Sequence, residues 1–340
     1  MPKHAFAPVL GQFRRWTLDS TLLENRLGDP TEREVLTHVS PEGMALLSEG
    51  QTLPVLIYLA PFTSSGPARA GWKAFAETLP QRHERLVKSG DMKPAILVMP
   101  DTFTTLGGNQ FVDSPVLGNW STWLAEALKP AIEERYATNG KFGLVGKSSG
   151  GYDAVINAML QPNVWDGVAC HSGDMGFETM FMPTFAETLT HVSRYGSAQD
   201  YVAHVQKAER LSGPDFHSLM ICAMAASYDP RPSTNENPLG IVLPVNTETA
   251  DILPEAWNQW LKFDPIQMVN ARHQHLAELE ALFIDCGGQD QYHIQYGSRK
   301  FVELLNSFEI KHIWEEFAGT HSGIDHRLDL SFAFLSQKLA

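Results

Sequence analysis

A serine between two glycines is the first feature of the chain that could do chemistry. Residues 146–150 read Gly-Lys-Ser-Ser-Gly, which puts Ser148 at the centre of a GxSxG pentapeptide. In a nucleophile elbow the chain turns sharply from a strand into a helix, and glycines are needed two positions to either side because the two backbones nearly touch. An apolar segment precedes the pentapeptide and a helical pattern follows it. We therefore predict that Ser148 is a nucleophile for acyl transfer.

The same residues permit a second interpretation, because Gly-Lys-Ser also ends a phosphate-binding P-loop. That loop needs a further glycine at position 141, where this chain has Lys141, while Gly140 lies one position away. Without the glycine the backbone cannot wrap a phosphate in the usual way, so the pattern disfavours a nucleotide site.

An acid should follow the serine, since the chain order for such an elbow is Ser, then Asp or Glu, then His. The apolar run Ala281–Cys286 predicts a late strand, and Asp290 follows it after two glycines and a glutamine. Ligand chemistry in α/β sheets gathers beyond the carboxyl ends of the strands. We therefore prefer Asp290 as the acid, with Asp285, inside the strand, as the alternative.

The histidine should lie on a loop after the last strand. His321 fits, because residues 317–323 read Phe-Ala-Gly-Thr-His-Ser-Gly and a helical pattern comes next. His312 falls in a predicted strand and His326 in the last helix, so we expect both to be bystanders. The other histidines show no HExxH or similar spacing, and we expect neither a metal nor any other cofactor.

Two backbone N–H groups should hold the oxyanion. The first is that of Ser149, at the start of the helix, where the helix dipole adds positive potential. The second should come from the loop after the strand Pro54–Ala60. Pro61 has no N–H, so we assign this role to Phe62, which could instead be only a pocket wall.

The elements that must position these residues alternate along the chain. Short apolar runs suit strands buried on both faces and occur at 54–60, 94–100, 142–146, 167–170 and 281–286. Amphipathic stretches that suit helices occur at 71–79, 121–136, 151–160 and 294–308. An antiparallel pair at 12–20 and 33–40 comes before them, and a strand at 310–317 and a helix from about 325 to 339 come last. This alternation predicts an α/β-hydrolase fold with a mostly parallel, doubly wound sheet.

One segment interrupts the alternation. From 174 to 275 the chain is rich in Met and Phe and then in Pro, which predicts a single domain (1–340) with a cap inserted between two late strands. Aromatic and Met residues suggest an apolar acyl or aryl pocket, with ordinary core packing as an equal alternative. The residues in question are Trp120, Trp123, Phe177, Met180 and Phe181.

Composition excludes several other classes. The chain has 340 residues and a net charge of −13, which disfavours nucleic acid as a partner. Its cysteines are Cys170, Cys222 and Cys286, too few and too scattered for a disulfide framework. No apolar run is long enough for a membrane span and the start lacks a leader pattern. We expect a soluble cytoplasmic protein, the alternative being one from which a signal peptide has been removed.

Together these motifs resemble the esterase family of α/β-hydrolases that includes enterochelin esterases, S-formylglutathione hydrolases and mycolyltransferases. The resemblance covers nearly the whole chain and rests on residues 146–152, 171–173, 285–290 and 319–322, with Arg327. It implies Ser148, Asp290 and His321 as the triad, Phe62 as the second oxyanion donor, and a variable insertion that shapes the pocket. Many members carry His-Gly where this chain has Ala60-Pro61.

The expected reaction is hydrolysis of a small-molecule carboxylic ester or thioester through an acyl-enzyme on Ser148. Two alternative functions are also compatible with the sequence. An acyltransferase would use the same acyl-enzyme, and an inactive binding module would use only the fold. A homo-oligomer is compatible with the sequence.

Overall fold

Aliphatic runs form a central sheet that is buried on both faces. In the computed structural model, which describes Phe6 and residues 8–340, eight strands join this sheet and two form a small separate hairpin. The strands are β1 (Gln12–Leu18), β2 (Arg33–Val39), β3 (Leu53–Leu59), β4 (Ile96–Pro100), the hairpin strands β5 (Asp113–Ser114) and β6 (Gly118–Asn119), β7 (Thr138–Lys147), β8 (Gly167–His171), β9 (Ala281–Gly287) and β10 (Ile313–Phe317).

The sheet order is β1-β2-β4-β3-β7-β8-β9-β10. Strand β2 runs antiparallel to β1 and β4, and every other neighbouring pair is parallel. The predicted fold class is therefore confirmed, as is the antiparallel pair at the start of the chain.

Helices cover the two faces. They are α1 (Pro41–Ser48), α2 (Gly66–Ala70), α3 (Leu79–Ser89), α4 (Trp120–Trp123), α5 (Lys129–Arg135), α6 (Ser149–Leu160), α7 (Phe177–Met180), α8 (Phe185–Val192), α9 (Ala198–Val205), α10 (Gly213–Tyr228), α11 (Pro254–Leu261), α12 (Pro265–Ala277), α13 (Ile294–Ser307) and α14 (Leu328–Leu339). A π-helical turn, Leu124–Leu128, makes α4 and α5 nearly continuous.

The helix predicted over 71–79 is wrong. Helix α2 ends at Ala70 and α3 begins only at Leu79, where Thr78 and Gln81 form a capping box. The apolar residues that suggested a helical face, Trp72 and Phe75, are 75% and 76% exposed. They had no core to face, so the pattern carried no packing energy.

Alternate side chains of each central strand enter two different cores. In β3, Val55 and Ile57 pack on the side of α4 to α6 and α13, whereas Leu56 and Tyr58 pack with α3 and α14. Burial on both faces explains why these strands read as continuous apolar runs.

The insertion between β8 and β9 comprises α7 to α12. Its last helix, α12, packs against α6 and α13, and the His275 ring bonds the carbonyl of Met159 on α6 at 2.8 Å. Helix α12 is thus a part of the helical layer on the sheet, and the excursion away from the sheet ends near residue 264.

One buried carboxylate joins the two ends of this excursion. Asp264 accepts hydrogen bonds from the backbone N–H groups of Gly176 at 3.2 Å and Phe177 at 2.8 Å, where the insertion begins. It also accepts from the N–H of Ile266 at 3.1 Å, in the first turn of α12. Burial raises the pKa of Asp264 in spite of these bonds.

Within the described residues, no helix is long and apolar enough to cross a bilayer. The expectation that the start of the chain lacks a leader pattern rests partly on residues 1–5 and 7, which lie outside the described residues.

Candidate active site

Ser148 lies at the point where β7 turns into α6. Its backbone has φ 57° and ψ −130°, a conformation that costs a non-glycine residue on the order of 1–3 kcal/mol. The N–H of Ser148 donates to the carbonyl of His171 on the neighbouring strand at 2.9 Å, which helps to hold this geometry.

The flanking glycines make the turn sterically feasible. A Cβ on Gly146 would lie 2.3 Å from the carbonyl carbon of Gly150, and one on Gly150 would lie 2.1 Å from the carbonyl oxygen of Leu59. Both distances are far inside van der Waals contact, so any side chain at either position would separate β7, α6 and β3. The structure has the elbow that the pentapeptide predicts.

His321 and Asp290 form a buried pair. The Nδ1 of His321 lies 2.8 Å from the Oδ2 of Asp290, and the two residues are 7% and 2% exposed. The other carboxylate oxygen of Asp290 accepts from the N–H of Tyr292 at 2.9 Å. The backbone of His321 is fixed as well, because its N–H donates to the side chain of Gln291 at 3.0 Å.

Ser148 and His321 line one cavity of about 160 Å³. Its walls are Pro61, Phe62, Lys147, Ser148, Ser149, Asp174, Met180, Phe216, Met220, Tyr292 and His321. The nucleophile candidate, the base candidate and both oxyanion candidates therefore meet in one place, although they come from three separate segments of the chain.

The two predicted oxyanion donors have free N–H groups. Neither Phe62 nor Ser149 donates its N–H to another of the described residues. The loop that carries Phe62 is held by the N–H of Thr63, which donates to the carbonyl of Gly107 at 2.7 Å. The Phe62 ring packs edge-on against Phe216 of α10, with 5.5 Å between ring centroids.

The alternative acid, Asp285, has different partners. Its carboxylate accepts from Arg327 Nε and lies against His171 Nδ1, both at 2.7 Å. The far nitrogen of His171 lies 2.8 Å from the hydroxyl of Ser331 on α14. The partners of Asp285 are thus the side chains of His171 on β8 and of Arg327 just before α14, and through them it ties β8 and β9 to the last helix.

Only one of the five predicted pocket residues lines the cavity, namely Met180. The other four are fully buried elsewhere, because their large rings pack against one another. The rings of Trp120 and Trp123 pack edge to face, with 5.5 Å between their centroids. The rings of Phe177 and Phe181 pack in the same way inside the insertion, with 4.9 Å between their centroids.

The sequence interpretation missed Asp174, Phe216, Met220 and Tyr292 as cavity residues. Tyr292 could have been found, since it follows Asp290 by two positions, and its ring lies edge-on to His321 at 4.9 Å. Phe216 and Met220 are one turn apart on α10, a helix whose position cannot be deduced from its own pattern.

Asp174 is a buried carboxylate beside the nucleophile. Its Oδ2 accepts from Gln110 at 3.3 Å and from the Ser149 hydroxyl at 3.5 Å, and its Oδ1 has no partner among the described residues. Burial raises the pKa of Asp174 to about 6, although the charge of His321 acts in the opposite direction.

Comparisons with known proteins show the family of the chain. A family model described as "Putative esterase" matches residues 31–331. The chain belongs to this esterase family. It is therefore a carboxylic ester hydrolase, and its substrates are small-molecule esters or thioesters.

Solved structures similar to the esterase share its fold. A ferulic acid esterase is 16% identical, with a TM-score of 0.59 and coverage of 97% of this chain and 99% of that one. An S-formylglutathione hydrolase from Agrobacterium tumefaciens is 14% identical, with a TM-score of 0.58 and 98% of each chain covered. A fluorophosphonate-binding serine hydrolase from Staphylococcus aureus is 12% identical, with a TM-score of 0.57 and coverage of 96% and 98%. None of the curated proteins matches the chain.

The electrostatics of Asp174 predict that Asp174→Asn stabilises the protein at neutral pH. Because the pKa is raised from 3.8 to about 6, the folded state holds the proton more tightly than the unfolded chain. Stability is therefore lost as the pH rises through this interval, and the loss is complete above it. The full effect is on the order of 3 kcal/mol.

The measurement is urea unfolding of the wild type and the variant at about pH 5 and about pH 8. We expect the variant to gain more at the higher pH. A gain that is equal at both pH values would show that the carboxylate charge is not the cause.

Proposed function

We propose that the esterase works through an acyl-enzyme on Ser148, with His321 as the general base and Asp290 as the acid that orients it. One observation carries the proposal: the strained serine and the carboxylate-bound histidine line the same cavity. Asp290 binds Nδ1, which leaves Nε2 as the nitrogen that can exchange a proton with Ser148.

In the first half of the reaction, His321 takes the hydroxyl proton as Ser148 attacks the substrate carbonyl. The N–H groups of Ser149 and Phe62 hold the developing oxyanion. His321 then gives its proton to the leaving alcohol or thiol, and the acyl group stays on Ser148. In the second half, His321 activates water, which releases the acid and restores the hydroxyl.

The 174–275 insertion is proposed as the cap that shapes the substrate pocket. Support comes from α7 and α10, which supply Met180, Phe216 and Met220 to the cavity wall. These apolar side chains suit an acyl or aryl group. The contact of α12 with the sheet layer limits the cap proper to the part before residue 264.

A cytoplasmic location is proposed because the three cysteines are free and buried. An absence of nucleic-acid partners is proposed from the net charge of −13. The suggestion of a homo-oligomer stays a prediction from the sequence.

Replacing Ser148 by Ala should reduce turnover of a short aryl ester on the order of 10⁶-fold, because the nucleophile is lost. The elbow should persist, since Ala is smaller than Ser. The measurement is steady-state hydrolysis, with circular dichroism to verify folding. Ser307→Ala, at the exposed end of α13, is the matched control and should keep full activity. Substantial hydrolysis by folded Ser148→Ala would refute the assignment.

The two acids give a matched pair of variants. Asp290→Asn should keep the fold but favour the wrong tautomer of His321, which in a comparable triad costs about 10⁴ in turnover. Asp285→Asn should act on stability, because it removes one of the two carboxylates that pair with the buried Arg327, the other being that of Glu315. We expect a loss of roughly 1–3 kcal/mol.

Turnover at saturating ester and the midpoint of urea unfolding are to be measured for both variants. A stable Asp285→Asn protein without activity, beside an active Asp290→Asn protein, would reverse the two roles.

Two adjacent residues of the proposed cap, Met180 and Phe181, allow a pocket role to be distinguished from a core role. Met180→Ala should change the ranking of acyl chains, because it enlarges the cavity next to Ser148. Phe181→Ala should lower stability by about 3–5 kcal/mol without changing the ranking, since its ring packs against Phe177 and Trp260. The measurement is kcat/KM over acetate, butyrate, hexanoate and benzoate esters. The same ranking in wild type and Met180→Ala would contradict the cap proposal.

A further inference from the structure

Two aspartates lie on either side of Ser149 without a cationic side chain to pair with. Asp174 follows β8 and Asp153 lies in the first turns of α6, and the two are 2% and 1% exposed. No lysine or arginine among the described residues forms an ion pair with either of them. The Asp153 and Asp174 charges repel each other, and burial together with this repulsion raises the pKa of Asp153.

Three acceptor atoms in this cluster lack a donor. They are Oδ1 of Asp174, Oδ1 of Asp153 and Oε1 of Gln110, and each has no hydrogen-bond partner among the described residues. The Nε2 of Gln110 is already used, because it donates to Asp174 at 3.3 Å and to the Tyr228 hydroxyl at 2.9 Å. Buried acceptors without donors are costly and rare in folded proteins. Above the pKa of Asp174, which is about 6, the cluster therefore has unsatisfied acceptors and a negative charge without a cation to pair with.

The cluster lies next to the reaction centre. Asp174 lines the cavity that contains Ser148 and His321. Asp153 and Gln110 line an adjoining recess of about 10 Å³, and the two spaces share Pro61, Phe62 and Ser149 as walls. A recess of this size accommodates roughly one water-sized group. It can therefore take the tip of a substrate whose carbonyl is at Ser148, and an ammonium group has that size.

We propose that the esterase selects esters that carry a protonated amine, whose N–H groups donate to Asp174, Asp153 and Gln110 while the carbonyl lies at Ser148. This inference rests on the proposed role of Ser148 and extends it to the class of substrate. A primary ammonium supplies three donors and a positive charge, which match the three unsatisfied acceptors and the charge of Asp174. A hydroxyl supplies one donor and no charge, so it would leave most of the cluster unsatisfied.

The rest of the cavity agrees with such a substrate. Met180, Phe216 and Met220 give an apolar wall for the carbon skeleton between the amine and the ester. The net charge of −13 also favours the approach of cations over anions.

The preference should depend on pH, because only an ionised Asp174 attracts a cation fully. Its pKa of about 6 predicts that the advantage of an amine over a neutral ester increases as the pH rises from about 5 to about 7. The titratable groups that face Asp174 are His321, Asp290, Asp153, Tyr152, Tyr228, Tyr292 and Cys170. Those that act in catalysis influence both esters alike, so they cancel in the ratio of the two rates.

The experiment compares esters of equal shape. On the acyl side these are methyl 3-aminopropionate, methyl 3-hydroxypropionate and methyl butyrate, which end in ammonium, hydroxyl and methyl. On the alcohol side they are 3-aminopropyl acetate and butyl acetate, which end in a primary ammonium and a methyl group. For at least one side we expect kcat/KM of the amine to exceed that of the methyl analogue on the order of 10-fold or more near pH 7.5, since hydrogen bonds to charged groups are the strong ones.

Variants of the two aspartates test whether the cluster causes the preference for amine esters. Asp174→Asn should bring the ratio of amine to methyl ester close to one, and Asp153→Asn should lower it in part. Both rates in a ratio are measured on the same variant, so a change in its overall activity cancels. Asp91→Asn, an exposed aspartate whose carboxylate bonds only Ser89 among the described residues, is the control and should keep the wild-type ratio.

A second readout separates failure of this inference from failure of the proposed function. Calorimetry on Ser148→Ala should show tighter binding of the amine ester than of its methyl analogue. No preference on either side, or a preference that survives Asp174→Asn, would overturn the inference even if neutral esters are hydrolysed. If no ester is hydrolysed, the proposed function fails, and the calorimetric comparison alone decides the amine preference.

Discussion

The close approach of two backbones at Ser148 is the constraint on which the rest of the site depends. Since Gly146 and Gly150 have no side chains, β7, α6 and the end of β3 lie within van der Waals contact. That contact places the loop after β3, with Phe62, beside the start of α6, with Ser149. The strained backbone of Ser148 is then held from outside, by the His171 carbonyl and by the packing of α6. The strain is tolerated because the surrounding structure overdetermines it.

The two late acids show how position decides the role of a carboxylate. Asp285 and Asp290 are five positions apart, yet one lies inside β9 and the other beyond its end. Within the strand, Asp285 neutralises Arg327 and orients His171, and it connects two strands to α14. Beyond the strand, Asp290 pairs with His321, which lines the cavity. Both acids form a pair with a histidine, but only the pair at the carboxyl edge of the sheet can reach a substrate.

Much of this could be predicted from the sequence, where a local rule applied. The elbow, the parallel strands and the positions of Asp290 and His321 follow from glycine spacing, apolar runs and chain order. The pocket wall could not be predicted in the same way. Aromatic residues such as Trp120 and Phe181 look alike in a pocket and in a core, and only tertiary packing distinguishes them. In the sequence, Asp174 marks only the start of the insertion, because nothing in its neighbours indicates that it lies beside Ser149. The helix predicted over 71–79 failed for the related reason that Trp72 and Phe75 stay mostly exposed and bury little apolar surface.

Asp264 has a consequence for how this fold can vary. Its carboxylate binds the chain where it leaves the sheet, at Gly176 and Phe177, and where it returns, at Ile266. The segment between them is therefore a closed loop whose ends are held by one residue. The entropy of closing a loop rises only slowly with its length. Residues could be gained or lost within this loop at small thermodynamic expense, as long as its two anchored ends keep their positions. The same anchor would allow the loop of one relative to be transplanted onto the sheet of another, which makes this part of the molecule a natural unit for recombination.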